Sequence, residues 1–228
     1  MAVSSQFWTL ILGTIVALLP IINPLAAAPT FLAITEGDTR PQRLRQLRWA
    51  CLYMVVILVS SLVGGTFIMN FFGISIPGLR IAGGLLVSGI GSGMLLGPGT
   101  VPRRRERVRA HEEARAKPNV SFSPLAMPML SGPGSIAVTI GFTSLATRWL
   151  DYAAIILGIL TVAVISYAIL RLAERTVRVI GVNGMEALTR IMGFLLLCVG
   201  IEFVVNGVLG VATDPVLLQR IGQGLLAR

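Results

Sequence analysis

The stretch "IINPLAAAPTFL", Ile21–Leu32, closes an apolar run that opens at Phe7. It holds Pro24 and Pro29, with Asn23 before the first, and Pro20 stands just upstream. A proline within a helix lacks the N–H of one backbone hydrogen bond and frees a carbonyl four residues earlier. In hydrocarbon such a carbonyl must be satisfied by protein or by water in a cavity. The stretch therefore reads as the break of a membrane helix, and the rest of the chain can be read outward from it.

Composition agrees with a membrane setting. The chain has 228 residues, of which 54% are hydrophobic and 13% charged, and its mean hydropathy is +0.82. A soluble domain carries about 25% charged residues. The formal net charge of +9 would point to nucleic acid in a soluble protein. Here it reads as positive charge that keeps loops on the cytoplasmic side, so no nucleic-acid partner is expected. Cys51 and Cys198 form no C-x-x-C pair, so two free thiols packed as small hydrophobes are expected. The leading MAVSSQF has no Lys or Arg, unlike a signal peptide, which favours an uncleaved first helix.

Spans are expected at Phe7–Ile34 (broken), Trp49–Phe72, Ile74–Leu96, Phe122–Leu145, Tyr152–Leu170 and Ile191–Val211, each near the roughly 20 residues that cross hydrocarbon. The connections alternate in charge. Arg40, Arg43, Arg45 and Arg48 fall between spans 1 and 2, and "RRRERVRAHEEARAK", Arg103–Lys117, between spans 3 and 4. Arg171, Arg175, Arg178 and Arg190 fall between spans 5 and 6. The other side has Arg80, Arg148, Arg220 and Arg228. The positive-inside rule then puts both termini outside. The basic loop lacks interleaved aromatics, so it reads as a solvated linker near anionic lipid headgroups, and His111 within it as neither catalytic nor metal-binding.

Two segments recur. "INPLAAAP" from Ile22 resembles "FSPLAMP" from Phe122, and "RIAGGLL" from Arg80 matches "RIMGFLL" from Arg190. Both pairs fall in corresponding thirds of two halves: 1–97, a first three-helix repeat, and 120–228, a second, joined by the basic loop 98–119. Three spans per half invert the second half relative to the first. The expected fold is an all-α membrane protein of six transmembrane helices in two inverted-topology repeats, with helices 1 and 4 broken, as in many secondary transporters. The second break continues as "LSGPGSIAVTI", where Gly132 and Gly134 let backbone approach a ligand closely.

Paired broken helices point to a binding site near the midplane. Half-helix N-termini suit a carboxylate, while freed carbonyls and hydroxyls suit an ammonium or a coupling cation. The expected substrate-binding residues are Asn23, Pro24, Thr30, Ser123, Pro124, Ser131, Gly132, Gly134 and Ser135, with Thr139 close by. Any single Ser or Thr would as readily bond a carbonyl of its own helix. Glu202 is the one acid placed well inside a span, and Asn206 lies one turn on. An intramembrane acid is a functional candidate by default, here for proton coupling, against the plainer reading of a wet or merely hydrogen-bonded side chain. Spans 2 and 3 carry small-xxx-small spacing at Ser60/Gly64, Ser61/Gly65, Gly84/Ser88 and Gly89/Gly93. This reads as close helix packing, within the chain or between copies, so a homo-oligomer stays open. Arg80 reads as snorkelling to the outer interface.

No H-E-x-x-H, P-loop or G-x-S-x-G occurs, and no acid–base pair stands ready to activate a serine, so no enzyme is expected.

At "NPLAAAPTFLAIT", "ISIPGLRIAGGLL", "PLAMPMLSGPGSIAVTI" and "RIMGFLLLCVGIEFVVNG" the chain resembles the MarC family, also called the neutral amino acid transporter family, over nearly its whole length. The resemblance implies a multi-pass protein of a bacterial or archaeal inner membrane. For SnatA-type members it implies proton-coupled transport of glycine, alanine and other small neutral amino acids. It supports Asn23, Pro24 and Pro29 in the first break, and Pro124, Pro128, Gly132, Pro133 and Gly134 in the second, with Arg80, Gly83 and Gly84. Ala26 stands where the family motif more often has glycine, and Glu202 where it more often has an uncharged, glutamine-like residue. The sequence thus leads to the expectation of alternating-access transport of small neutral amino acids, with the proton as coupling ion, sodium as the alternative, and no cofactor. A channel-like or structural scaffold is the competing reading.

Overall fold

The computed structural model describes residues 2–96, 120–143, 145–146 and 148–213, and each regular element among them is helical. The basic loop at 98–119, with His111, lies outside the described residues, as do Arg220 and Arg228. In chain order the helices are α1 (Ala2–Ile22), α2 (Pro24–Ile34), α3 (Arg40–Phe72) and α4 (Ile76–Leu95). After them come α5 (Ser121–Leu130), α6 (Pro133–Phe142), α7 (Trp149–Arg171) and α8 (Ala173–Ala212).

Among the described residues four helices are long and apolar enough to cross a membrane: within α3 (Arg40–Gly65), α4 (Ile76–Leu95), α7 (Trp149–Arg171) and within α8 (Gly184–Ala212). The pairs α1/α2 and α5/α6 pass the same test only together, bent by 42° and 63° at their breaks. The described residues thus hold four candidate spans, or six if each bent pair is one. The outer surface carries large apolar side chains, among them Val16, Phe67, Leu85 and Val164, as a lipid-facing surface requires.

Two connections expected as loops are helical. Arg40–Arg48 forms the first turns of α3, because Pro41 is pre-set for a first turn and Leu, Gln and Arg are good helix formers. Thr39 closes that end, its backbone N–H donating to Gln42 Oε1 at 3.0 Å. Arg175 and Arg178 lie in the first part of α8, which kinks at Gly181 with φ 71°, a backbone region natural to glycine.

α1 packs on α7 and α5 on α3, α2 packs on α8 and α6 on α4, and α3 meets α7 as α4 meets α8. The α4–α8 crossing is the closest. Gly84 lies against Gly200, Gly91 against Gly193 and Pro77 against Gly207, so the partners descend α8 as they ascend α4, and the two helices are antiparallel. A Cβ at Gly91 would sit 2.5 Å from Leu197 N, and one at Gly200 2.5 Å from Ser88 N. Small residues here let backbone meet backbone. Of the expected packing pairs, Gly84/Ser88 forms this crossing and Gly65 meets Ile140 of α6 and Thr143 just after it, whereas Gly64 and Gly89 face open space. The core lies beneath α1, α3 and α7, with Leu18, Phe31, Met54, Leu58, Leu125 and Ile155 buried in one cluster.

At the end of the bundle where α2 stops, Arg43 of α3 bonds Glu174 of α8 and donates to the Thr35 carbonyl at 3.2 Å. Beside it Gln46 donates to Asp38 at 3.1 Å. The end of α2 is thereby tied to the start of α8.

Candidate functional site

The first break is one residue wide. Asn23 adopts the left-handed conformation, φ 42° and ψ 66°, which Asn tolerates because its short amide bonds locally. Its Oδ1 accepts from Ala26 N at 3.2 Å, so it caps α2 with Pro24 in the first turn. The other end of the amide, Nδ2, has among the described residues only Met94 Sδ at 4.0 Å, a weak acceptor. Asn23 is buried.

The second break is wider. α5 bonds five residues back, with Leu125 N to Val120 O at 3.1 Å and Ser131 N to Ala126 O at 2.8 Å. The cause is two prolines four residues apart. Ser123 and Met127, each before a proline, are extended, as the proline ring forces on its predecessor, and both X–Pro peptides are cis. Gly132 then leads into α6, which begins at Pro133 with no side-chain cap. The first N–H groups of a helix have no partner of their own, and here they belong to Gly134 and Ser135.

The two breaks meet. A Cβ on Gly134 would approach Ile90 Cδ1 at 3.0 Å and Ile21 Cγ2 at 3.6 Å, so the start of α6 faces the end of α1 across α4. Between them lies a cavity of about 400 Å³ lined by Asn23, Ala26, Thr30, Pro124, Pro128, Gly132, Gly134 and Ser135, with Ile90 and Met94 of α4 and Thr189 of α8. Among the described residues no charged side chain lines it. The volume is at the small end of the roughly 300–1,000 Å³ of small-molecule sites. The uncapped start of α6 favours a carboxylate, while polar groups opposite can accept from an ammonium. Among the described residues no group of His, Cys, Asp and Glu could hold a metal ion.

Six of the nine expected binding residues line this cavity: Asn23, Thr30, Pro124, Gly132, Gly134 and Ser135. Pro24 shapes the break without lining it, and Ser123 is also outside. Ser131 is fully buried, its hydroxyl donating to its own segment's Ala126 carbonyl at 2.8 Å. Ser135 and Thr139 likewise donate to Gly132 O at 2.9 Å and Ser135 O at 2.7 Å. Glu202 and Asn206 lie outside the cavity, exposed on α8 and joined by a 2.8 Å hydrogen bond. The coupling role expected of them finds no support in that position. Sequence reasoning missed Thr189 and Met94. Thr189 directly precedes the Arg190 repeat motif, yet a lone threonine there carries no signal of its own.

The family described as "MarC family integral membrane protein" matches residues 8–212. A relative from Citrobacter koseri, named UPF0056 inner membrane protein MarC, is 39% identical over 203 residues, 86% of this chain and 92% of its own. Proteins of the same name from Salmonella typhimurium and Escherichia coli O1:K1 are 40% and 39% identical over the same shares. No solved structure matches the chain.

Proposed function

The chain belongs to the MarC family of integral membrane proteins, and we propose that it is a secondary transporter of small neutral amino acids such as glycine and alanine. The observation that carries this reading is the uncharged cavity at the meeting of two broken helices. A zwitterion carries no net charge but needs a positive and a negative partner. The uncapped start of α6 offers the first. The hydroxyl of Thr30 on the cavity wall offers the second.

We further propose that the two halves form an inverted repeat that alternates access around this cavity. The antiparallel α4–α8 crossing and the reciprocal pairing of α1 with α7 and α5 with α3 support that plan. With relatives named inner membrane proteins, a multi-pass place in a bacterial inner membrane follows. The basic segments put both termini outside in this proposal, and a proton is the coupling ion, with sodium the alternative.

The test is uptake of radiolabelled glycine and alanine into proteoliposomes, with and without an imposed pH gradient, compared with Asn23→Leu. Saturable, gradient-dependent uptake lost in the variant supports transport and site together. Absence of saturable uptake of either solute under any ion gradient would favour a scaffold.

A further inference from the structure

We infer that the exposed face of α8 is the surface on which a second copy of this chain docks in the membrane. The observation is the place of Glu202 and Asn206. The span Gly184–Ala212 has 29 residues, about 44 Å at 1.5 Å per residue, against a hydrocarbon core of about 30 Å. Centred in the bilayer, it puts Glu202 roughly 8 Å inside the hydrocarbon. If the core instead begins just after the exposed Glu186–Arg190 ion pair, the depth is roughly 12 Å. Either way an exposed carboxyl and amide stand in lipid, where an unmade hydrogen bond is costly.

Within the chain they are half satisfied. Asn206 Nδ2 donates one bond to Glu202 Oε1. The second N–H of that amide, its oxygen and the other carboxyl oxygen have no bond to the described residues. Two copies inserted in the same sense are related by a two-fold axis along the membrane normal, so α8 meets α8 in parallel and each residue meets its own depth. The second N–H of Asn206 then donates to Glu202 of the other copy, and the reciprocal bond forms by symmetry.

The surrounding residues fit the same occupant. Ile191, Leu195, Cys198, Glu202, Val205 and Leu209 are all exposed, and they follow one another at alternating steps of four and three. That is the seam of two helices packed knobs-into-holes, with a polar position fixing register. The opposite face of α8 is already taken, since Gly193, Gly200 and Gly207 pack on α4.

Cys198 supplies the test in the native protein, because Cys51 is buried. Copper-phenanthroline oxidation in membranes should join two copies through Cys198, and Cys198→Ser should abolish the product. Glu202→Leu and Asn206→Leu should slow the crosslink several-fold, whereas Glu202→Gln should retain it. In a Cys198→Ser background, single cysteines at Leu195, Val205 and Leu209 should crosslink, and one at Val204, which faces Gly84, should not. Failure of Cys198 to crosslink would overturn the inference, whether a maleimide labels it (lipid covers the face) or not (another segment or protein does). So would a crosslink that both leucine variants leave unchanged, or one without the four–three periodicity.

Discussion

Replacing Asn23 separates what its backbone does from what its amide does. Asn23→Ala places a residue with a Cβ and no local hydrogen bond at φ 42°, a cost of about 1–2 kcal/mol. It also removes the cap on Ala26 N, typically about 1 kcal/mol. The expected loss is about 2–3 kcal/mol, which for a chain of this size lowers the melting temperature by roughly 4–12 °C. Asn23→Gly accepts the same φ freely and loses only a few tenths of a kcal/mol at a cap. That variant should melt within about 2 °C of the parent. Yet it lacks the Nδ2 donor at the cavity wall, and losing a hydrogen bond to a charged ligand group costs about 1.5–3 kcal/mol. Its affinity for alanine should therefore fall by about tenfold or more. The assay is thermal unfolding in detergent across an alanine titration, where the ligand-induced rise in melting temperature reports affinity. An alanine variant as stable as the glycine variant would refute the conformational argument. A glycine variant with parental affinity would remove Asn23 from the site.

Three further outcomes follow from the packing. Gly91→Ala puts a methyl 2.5 Å from Leu197 N and 2.6 Å from Gly193 O, forcing α4 and α8 apart at about 1–3 kcal/mol. Gly89→Ala, with nothing within 4 Å, should stay within about 0.5 kcal/mol, so equal melting of the two would be a failure. Gly134→Ala is tight only against the end of the Ile90 side chain, at 3.0 Å, and should fold. Gly134→Leu should fill the cavity and abolish alanine-induced stabilisation. Glu174→Ala removes a partner whose side chain is 60% exposed and should cost at most about 1 kcal/mol. Arg43→Ala also loses the hydrogen bond to the Thr35 carbonyl, which keeps its bond from Asp38 N at 3.1 Å, and should cost about 0.5–1.5 kcal/mol more, an order that chemical denaturation can check.

Proline and asparagine were legible because their chemistry is local. Pro20, Pro24 and Asn23 announce a break wherever they stand in an apolar run, and the cap at Ala26 follows from Asn23 alone. The same holds for Pro124, Pro128 and Pro133, although the five-residue bonding of α5 did not follow from their presence. What was not legible depends on the helix face turned inward. Thr189 enters the cavity and Glu202 does not, and a period of 3.6 residues cannot tell which face of an apolar helix meets protein. Only the Gly193–Gly200–Gly207 contact with α4 settles that rotation. Ser131 was misleading for the opposite reason: it stands beside the break, but its hydroxyl is spent on the Ala126 carbonyl that the break exposes.

The most direct measurement is substrate protection of a single cysteine at Thr189, introduced with Cys51 and Cys198 replaced by serine. Thr189 lines the cavity from α8, and its hydroxyl donates only to Met185 O at 2.7 Å. Alanine should slow maleimide labelling of this cysteine in proteoliposomes, with the same concentration dependence as uptake. Labelling that stays unchanged at alanine concentrations that saturate uptake would place the substrate outside the cavity between the two broken helices.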